Sequence, residues 1–169
     1  HHGVVGFRFR LDEIRKHVET AVRDGAQILV LSDAHATPAR PPMPSLLVLR
    51  AVVNELNESG NRLDASVVVH SGEVTNAHHV AALVAFGASA VCPYLAQEWA
   101  RLAQHEALQS LTQDAREQHL VAALDVGLLK VMSKMGISVV RSYHSARLFS
   151  AVGIGPGLVR EFFPGLSSP

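Results

Sequence analysis

The feature that most restricts the fold of this chain is a set of four short apolar runs, each followed by polar residues. None of the runs alternates strictly between apolar and polar residues, which is typical of strands buried on both faces, as in parallel sheets. We therefore predict four strands of a parallel sheet. The runs occupy residues 26–35, 65–73, 88–94 and 137–144.

Helical patterns lie around these runs, because apolar residues recur there every three or four positions. Strands that alternate with helices predict parallel βα units and an α/β fold. Four units are too few for an eight-stranded barrel, which takes about 250 residues, so we expect the units to resemble part of a TIM-like (β/α) barrel. The predicted helices cover residues 11–23, 45–56, 76–86, 116–135 and 146–152.

The chain of 169 residues has the length of one domain, and no low-complexity segment or linker divides it. It starts with His1-His2-Gly3 and without methionine, which is typical of a tag or of an excised internal segment. We expect residues 1–10 to be a tag or linker remnant and residues 11–169 to form a single α/β domain.

Composition argues against several classes of partner and cofactor. The 15 basic residues balance 15 acidic ones, so there is no electrostatic basis for binding nucleic acid or an anionic membrane. No apolar run approaches the ~18 residues of a membrane span. The single cysteine, Cys92, excludes a disulfide within the chain and a self-contained iron–sulfur cluster. We expect a reducing, cytoplasmic environment.

Polar side chains follow the predicted strands, and parallel α/β folds gather their reactive groups at the carboxyl ends of strands. Asp33, His35, His70 and His144 include residue types that bind zinc, which would make the chain a small metallohydrolase. Their spacing matches no established metal-binding motif. The alternative is that they are polar residues with no common ligand.

Cys92 and the pair His78-His79 are further candidates for function. We interpret Cys92 as a small packed side chain, since no neighbouring base is evident that would lower its pKa. Adjacent residues of a helix point about 100° apart, so His78 and His79 cannot chelate one metal ion together. We expect one of them to pack or cap a helix and the other to face solvent or another domain.

Four segments of the chain resemble one protein family, in the same order as in that family. They are MPSLLVLRAV (43–52), VVVHSGEVTNAHHVAALVAFGASAVCPYLAQE (67–98), GLLKVMSKMGISVVRSYHSARLFSAVGI (127–154) and LVREFFPGLSS (158–168). The family is the large subunit of glutamate synthase, and the resemblance lies in the C-terminal part of its central domain. The resemblance extends from about residue 11 to residue 168. Its most specific motif lies in the third segment, in residues 130–135 (KVMSKM), which we term the lysine–methionine turn.

The resemblance implies a role inside a larger enzyme that makes glutamate from glutamine and 2-oxoglutarate. In that enzyme an amidotransferase domain releases ammonia, and a domain with FMN and an iron–sulfur cluster aminates the keto acid. The central domain would link the two and help enclose the ammonia route. An electron-donating small subunit or ferredoxin is a further implied partner. The chain itself is expected to bind no cofactor and to be noncatalytic alone. A free-standing binding or assembly module derived from this domain is the alternative.

The chain departs from the family pattern at several positions where polar residues or glycine are usual. We interpret this as a retained apolar framework with altered contacts between domains. The departures are Val52, Val53 and Asn54 in place of histidines, Cys92 in place of asparagine, His144-Ser145 in place of arginine-glycine, and Ala34 near which arginine is usual.

The lysine–methionine turn itself allows two interpretations. We expect Lys130 and Lys134 to lie in the last turn of a helix before Gly136, where cations favour the helix dipole by about 0.3–1 kcal/mol. Met132 and Met135, three residues apart, can pack into the core. In the other interpretation, the lysines reach a neighbouring domain or its ligand. The candidates for contacts with another domain or a ligand are Lys130, Ser133, Lys134, His78, His79 and Glu73.

The outer strands of a small parallel sheet have free backbone edges, and the missing domains would leave apolar surface uncovered. We therefore expect the isolated chain to self-associate, with residues 41–47 and 130–135 near the contact surfaces.

Overall fold

Helices and strands alternate over residues 3–92, and the elements that follow in the described part of the chain are helical. The computed structural model describes residues 3–167, with side chains from residue 5 onward. In chain order its elements are α1 (Gly3–Arg23), β1 (Ile28–Ser32), α2 (Ser45–Glu58), β2 (Ser66–His70), α3 (Ala77–Ala85), β3 (Ala90–Cys92), α4 (Tyr94–Leu102), a 3₁₀ turn (Glu106–Leu108), α5 (Gln113–Lys134), α6 (Val140–Tyr143) and α7 (Pro156–Phe162).

The three strands form a parallel sheet in the order β1-β2-β3. Val30 pairs with Val68, and Val68 pairs with Ala90, so strands that follow one another in the chain are also neighbours in the sheet. The predicted α/β class with a parallel sheet is therefore confirmed, for three strands and not for four.

Helices bury one face of this sheet. Leu29, Val67 and Val69 point to that face and share a buried cluster with side chains of α1, α2, α3 and α5. The residues that alternate with them point to the opposite face, where Ile28 and Val30 are 66% and 60% exposed. We term this opposite side the open face, and it consists of Ile28, Val30, Ser32, Ser66, Val68, His70, Ala90 and Cys92.

Helix α2 lies at the centre of the buried cluster, because its apolar residues recur at helical spacing toward the sheet. Leu49, Val52 and Leu56 are all 0% exposed. A second buried cluster joins α7 to α1 and α2 and includes Leu11 and Phe162. Helix α7 is thus packed on α1 and α2.

The prediction of a fourth strand at residues 137–144 is wrong, because residues 140–143 form the short helix α6. Tyr143 is fully buried, whereas residues 138–142 are exposed. A strand covered on both faces needs apolar side chains along its whole length, and Arg141 and Ser142 interrupt this run. The segment instead follows the end of α5 and places Tyr143 in the core beside α3.

The helix predicted at residues 146–152 is also absent from the described part of the chain. Ser145 and Arg147 have φ angles of 57° and 56°, a conformation that no right-handed helix contains. Ser150 then forms an isolated parallel bridge with Ser167. Besides α6, two helices that the periodicity did not indicate are present, α4 and α7.

Helix α1 begins at Gly3 and continues through the helix predicted over residues 11–23. The assignment of residues 1–10 to a tag or linker remnant stays a prediction, and His1 and His2 lie outside the described residues. Between residues 3 and 167, no helix is long and apolar enough to cross a membrane.

Candidate functional site

Asp33 connects the carboxyl ends of β1 and β2. Its carboxylate accepts a 2.6 Å hydrogen bond from the Ser71 hydroxyl and a 3.0 Å hydrogen bond from the backbone N–H of Gly72. The Ser71 side chain is 1% exposed and its oxygen also accepts a hydrogen bond from the Glu73 N–H. The two strand ends are therefore held together by a charged acceptor that is satisfied within the chain.

The surroundings of Asp33 keep it ionised. Burial acts to raise its pKa, but the hydrogen bonds from Ser71 and Gly72 and the nearby Tyr94 hydroxyl and His70 ring outweigh burial, so the pKa lies below its ordinary value. Burial and the proximity of Asp33 raise the pKa of the Tyr94 phenol in turn. An ionised carboxylate occupied by internal donors fastens two strands together and is poorly suited to act as a general base.

His70 lies between two polar partners at the same end of the sheet. Its Nδ1 atom is 2.7 Å from the Ser32 hydroxyl, within hydrogen-bond distance. Its ring stacks on the Tyr94 ring with centroids 4.5 Å apart. Tyr94 begins α4, so this stacking places the start of that helix against the end of the open face.

A cavity of about 480 Å³ opens beside these residues. Its walls come from α1, from β1 and from the loop that follows β1. Most of the lining is apolar, and Ser32, Asp33, His70 and Ser71 form its polar end. This is the size range in which small ligands and apolar side chains are both accommodated.

The residues proposed for a metal site are only partly brought together. Asp33, His35 and His70 line the same cavity, whereas His144 lies near Arg62, where burial and that positive charge lower its pKa. Within residues 3–167, no three His, Cys, Asp or Glu side chains are arranged to hold a metal ion.

Cys92 is half-buried on the open face and donates a weak hydrogen bond of 3.4 Å from its sulfur to Gln97 Oε1. Burial raises the pKa of the thiol, and the Glu117 carboxylate raises it further. A thiol with a raised pKa is a weak nucleophile at neutral pH, which agrees with the interpretation of Cys92 as a packed side chain.

Glu73 and the two histidines of α3 have contacts within the chain. The Glu73 carboxylate accepts a 2.8 Å hydrogen bond from the N–H of Ser45, the first residue of α2, so it caps that helix from a distant part of the sequence. His79 Nδ1 accepts a hydrogen bond from the Thr75 N–H. The His78 and Phe149 rings are in contact, with their centroids 5.6 Å apart. Both histidines remain exposed.

Helix α5 ends at the lysine–methionine turn, as expected from Gly136, which follows the turn. The N–H of Gly136 bonds to Ser133 and that of Ile137 to Met132, and Gly136 has a φ of 69°, which together form a Schellman motif. Met132 is 2% exposed, but Met135 is 48% exposed, so only one of the two methionines packs into the core as expected. Lys130, Ser133 and Lys134 are all exposed. Of the two lysines, only Lys134 lies in the last turn of α5, so the expectation was wrong for Lys130.

Arg50 is a buried charge that the sequence analysis did not single out. It is 7% exposed and donates to the carbonyls of Phe86 and Phe162, at 3.2 Å each, and to Asn54 Oδ1 at 2.6 Å. The position of Arg50 inside the apolar stretch SLLVLRAVV could have indicated a buried arginine with hydrogen-bond partners in the chain. Arg50 ties α2 to the end of α3 and to α7.

The departures at Val52 and Val53 lie inside the core and not at a surface for another domain. Both side chains are almost fully buried. Val53 packs tightly against the backbone of Gly87, since a Cβ added to Gly87 would lie 3.0 Å from a methyl carbon of Val53. Val52 and Val53 therefore belong to the interior of the chain.

Several large apolar side chains are exposed on the helices that flank the sheet. On α4, Leu95, Trp99 and Leu102 share one side of the helix and are 55%, 74% and 58% exposed. On α5, Val126 and Leu129 are 64% and 62% exposed. A surface of this kind is typical of a segment that contacts further protein.

Fold and site together define the class of protein: a segment of parallel βα units with one sheet face and two helix faces uncovered among the described residues. The chain belongs to the glutamate synthase central domain family, whose family model matches residues 2–155. The predicted family is therefore confirmed.

Three relatives show how this segment relates to complete proteins. Glutamate synthase [NADH] of Schizosaccharomyces pombe is 36% identical over 168 residues, covering 98% of this chain and 8% of that protein. Ferredoxin-dependent glutamate synthase 2 of Synechocystis sp. is 37% identical over 180 residues, covering 98% of this chain and 12% of that protein. The glutamate synthase [NADPH] large chain of Bacillus subtilis is 35% identical over 158 residues, covering 94% of this chain and 10% of that protein. The chain thus spans about a tenth of the length of these relatives.

Proposed function

We propose that the chain is the C-terminal part of the central domain of a glutamate synthase, an oxidoreductase that converts glutamine and 2-oxoglutarate into two molecules of glutamate. In this role it links the amidotransferase and FMN domains of the same polypeptide and helps enclose the ammonia route. The observation that carries the proposal is the similarity of 94–98% of this chain to a small part of much longer glutamate synthases.

The arrangement of the sheet supports a place inside a larger fold. Consecutive parallel strands with their helices on one face are the repeating unit of a (β/α) barrel, and this chain contributes three such strands. We propose that the units form part of a TIM-like barrel, in which the open face would point inward. Ile28 and Val30 would then be covered by side chains from outside this segment.

Cofactor chemistry belongs, in this proposal, to other domains. An iron–sulfur cluster takes several thiolates, and a chain with Cys92 alone does not fit that group. FMN and the cluster would reside in the FMN domain. The electron donor would be a ferredoxin or a small subunit that uses NADH or NADPH, as the names of the relatives indicate for those proteins. The low cysteine content supports a cytoplasmic location.

The exposed polar residues of α3 and α5 are the proposed contacts with a neighbouring domain or its ligand. Lys130, Ser133 and Lys134 lie at the end of α5 with side chains free for such a contact, and α3, which carries His78 and His79, packs against α5. Glu73 is included because its carboxylate is exposed although it caps α2.

The reading frame around this segment tests the proposal. We expect an amidotransferase domain before residue 1 and a flavin-binding barrel after residue 169. A stop codon, or unrelated domains on both sides, would overturn the proposal and favour a free-standing binding or assembly module.

An assay of the isolated chain tests the noncatalytic role separately. Incubation with FMN, glutamine and 2-oxoglutarate is expected to give neither bound flavin nor glutamate. Binding of one FMN per chain would contradict the assignment of the cofactor to another domain.

A further inference from the structure

A second cavity, of about 200 Å³, lies at the end of α3, away from the strand ends. It opens between the last residues of α3, the residues that follow α7 and the segment 145–149. It shares no lining residue with the cavity beside Asp33. The cavity at the end of α3 is therefore a separate candidate site.

Three phenylalanine rings form most of the apolar wall of this cavity. The centroid of the Phe86 ring lies 5.8 Å from that of Phe149 and 5.3 Å from that of Phe163. Leu148 and Leu166 complete the apolar lining. Since a cavity of about 150 Å³ is large enough to hold a benzene ring, this one has room for a ring or a branched chain with one polar group.

Arg50 brings a positive charge to the cavity. It is one of the lining residues, it is 7% exposed, and its guanidinium carbon lies 5.8 Å from the centroid of the Phe86 ring. A guanidinium group has five N–H donors. Three of them bond to neutral acceptors, the carbonyls of Phe86 and Phe162 and the amide oxygen of Asn54. The other two have no acceptor between residues 3 and 167.

No carboxylate of the described residues compensates this charge, because Arg50 takes part in none of their ion pairs. Burial lowers the pKa of Arg50, and the positive charge of Arg62 lowers it further. The carbonyls at the end of α3 carry only a partial negative charge. Buried charges in proteins are usually paired with an opposite charge, so the surroundings of Arg50 favour an anion.

Arg147 adds a second positive charge to the lining of the cavity. Its side chain is exposed and has no hydrogen bond or ion pair with the part of the chain that the structure describes. The guanidinium group lies so close to Gly165 that a Cβ added there would be 2.6 Å from the guanidinium carbon. Ser145 and Arg147 both have left-handed backbone conformations, which are strained for residues with a side chain and are frequent at ligand sites.

We propose that this cavity binds a small carboxylate with an apolar body, the carboxylate at Arg50 and Arg147 and the apolar body against the phenylalanine rings. Guanidinium groups bind carboxylates through charge-assisted hydrogen bonds, which are stronger than those between neutral groups. A neutral or cationic ligand would leave both positive charges uncompensated. The proposed function is not needed for this inference, because all the contacts lie within residues 50–166.

Isothermal titration calorimetry of the complete polypeptide that contains this chain tests the inference. The ligand is phenylacetate, which has one ring and one carboxylate, and the control is phenylacetamide, which has nearly the same shape without the charge. We expect phenylacetate to bind roughly tenfold more tightly than phenylacetamide, or better. No binding of phenylacetate up to about 10 mM, or equal binding of the two compounds, would overturn the inference.

Arg147→Gln is the principal variant, because Arg147 has no partner among the described residues whose loss would disturb the fold. It is expected to weaken phenylacetate binding by roughly tenfold and to leave phenylacetamide unaffected. Arg160→Gln is the matched control, since Arg160 is exposed on α7 and does not line the cavity. Equal weakening by the two variants would reduce the effect to general surface charge and contradict the inference.

Arg50→Met tests the buried charge and is expected to abolish measurable binding of phenylacetate. Arg50→Lys keeps the charge and should recover part of the binding. Urea unfolding of both variants shows whether they are folded, and Arg147→Gln decides the matter if Arg50→Met is not. A folded Arg50→Met variant that binds phenylacetate as tightly as the original polypeptide would overturn the inference.

Comparison with the 169-residue chain separates the remaining outcomes. Phenylacetate binding by the short chain but not by the complete polypeptide would show that another part of the protein covers the cavity, which contradicts a ligand site. Synthase domains on both sides without phenylacetate binding would defeat only this inference. Phenylacetate binding in a polypeptide without synthase domains would defeat only the proposed function.

Discussion

Gly127 of α5 lies directly against Ala77, the first residue of α3, so that a Cβ added to Gly127 would overlap the Ala77 methyl group. Glycine is therefore what allows α5 and α3 to lie this close to each other at this point. The glycine that opens the lysine–methionine segment is thus explained by packing.

We predict that Gly127→Ala lowers the free energy of unfolding by about 1–3 kcal/mol, the usual cost of overpacking, although alanine is the better helix former. The double variant Ala77→Gly with Gly127→Ala should recover most of this loss, because the methyl group is moved from one helix to the other. Urea unfolding of the two single variants and the double variant gives the coupling energy. Additive effects would show that the two residues are not in contact.

The hydrogen bonds to Asp33 predict how stability depends on pH. The pKa of this carboxyl is lowered in the folded chain, so the unfolded chain takes up the proton first as the pH falls. The stabilisation is therefore complete above the unfolded-state pKa near 3.8 and is lost as the pH falls through the folded-state value. Urea midpoints measured at several values between about pH 6 and pH 3 should fall less steeply for Asp33→Asn than for the original chain.

Ser71→Ala tests the same contact between the strand ends from the side of the donor. It removes the hydroxyl donor and leaves the buried side of the Asp33 carboxylate short of a partner, at a cost of about 1–3 kcal/mol. Ser66→Ala, at an exposed position of β2, should change stability by less than about 0.5 kcal/mol. Equal effects of the two changes would show that the link between the strand ends is unimportant.

The link between Asp33 and Ser71 also shows what the sequence could and could not predict. The apolar runs at β1, β2 and β3 predicted the strands, and their parallel order predicted that Asp33 and His70 would lie at one end of the sheet. Which donors Asp33 would find depended on the register of two strands 38 residues apart, and no local pattern contains that register. The capping of α2 by Glu73, 28 residues away in the sequence, could not be predicted for the same reason.

The errors of the sequence analysis have a local cause. Residues 137–144 form a short apolar run, and periodicity alone does not distinguish a buried strand from the edge of a helix in such runs. The positive φ angles of Ser145 and Arg147 are not visible in residue types that rarely adopt them. A helix was predicted where the backbone in fact turns.

The backbone of Ser145 has the left-handed conformation that favours glycine, with a φ of 57°. A residue with a side chain is destabilised by roughly 1–2 kcal/mol in this region of φ. Glycine avoids this strain, but it loses more conformational entropy on folding, so only part of the strain energy is gained as stability. We predict that Ser145→Gly raises the free energy of unfolding by about 0.5–1 kcal/mol. Ser142→Gly, inside α6, is the matched control and should lower it.

The two methionines of the lysine–methionine turn should respond in opposite ways to the same charge. Met132→Glu places a carboxylate at a position that is 2% exposed and is expected to cost about 3–5 kcal/mol, as for an unpaired buried charge, so it is unsuitable as a probe of the surface. Met135→Glu, at a position that is 48% exposed, should leave the chain folded, at a cost below about 1 kcal/mol from the charge at the helix end.

Met135→Glu is therefore the variant that tests self-association through this turn. Sedimentation velocity at micromolar concentrations should show the isolated chain associating, and the added charge beside Lys134 should shift it toward monomer because the exposed methionine is part of the apolar contact. Met135→Gln separates loss of the apolar side chain from addition of the charge. A monomeric original chain would mean that its free edges and apolar surface do not drive association. Association that Met135→Glu leaves unchanged would place the contact elsewhere, and the edge of β1 would then be the next surface to test.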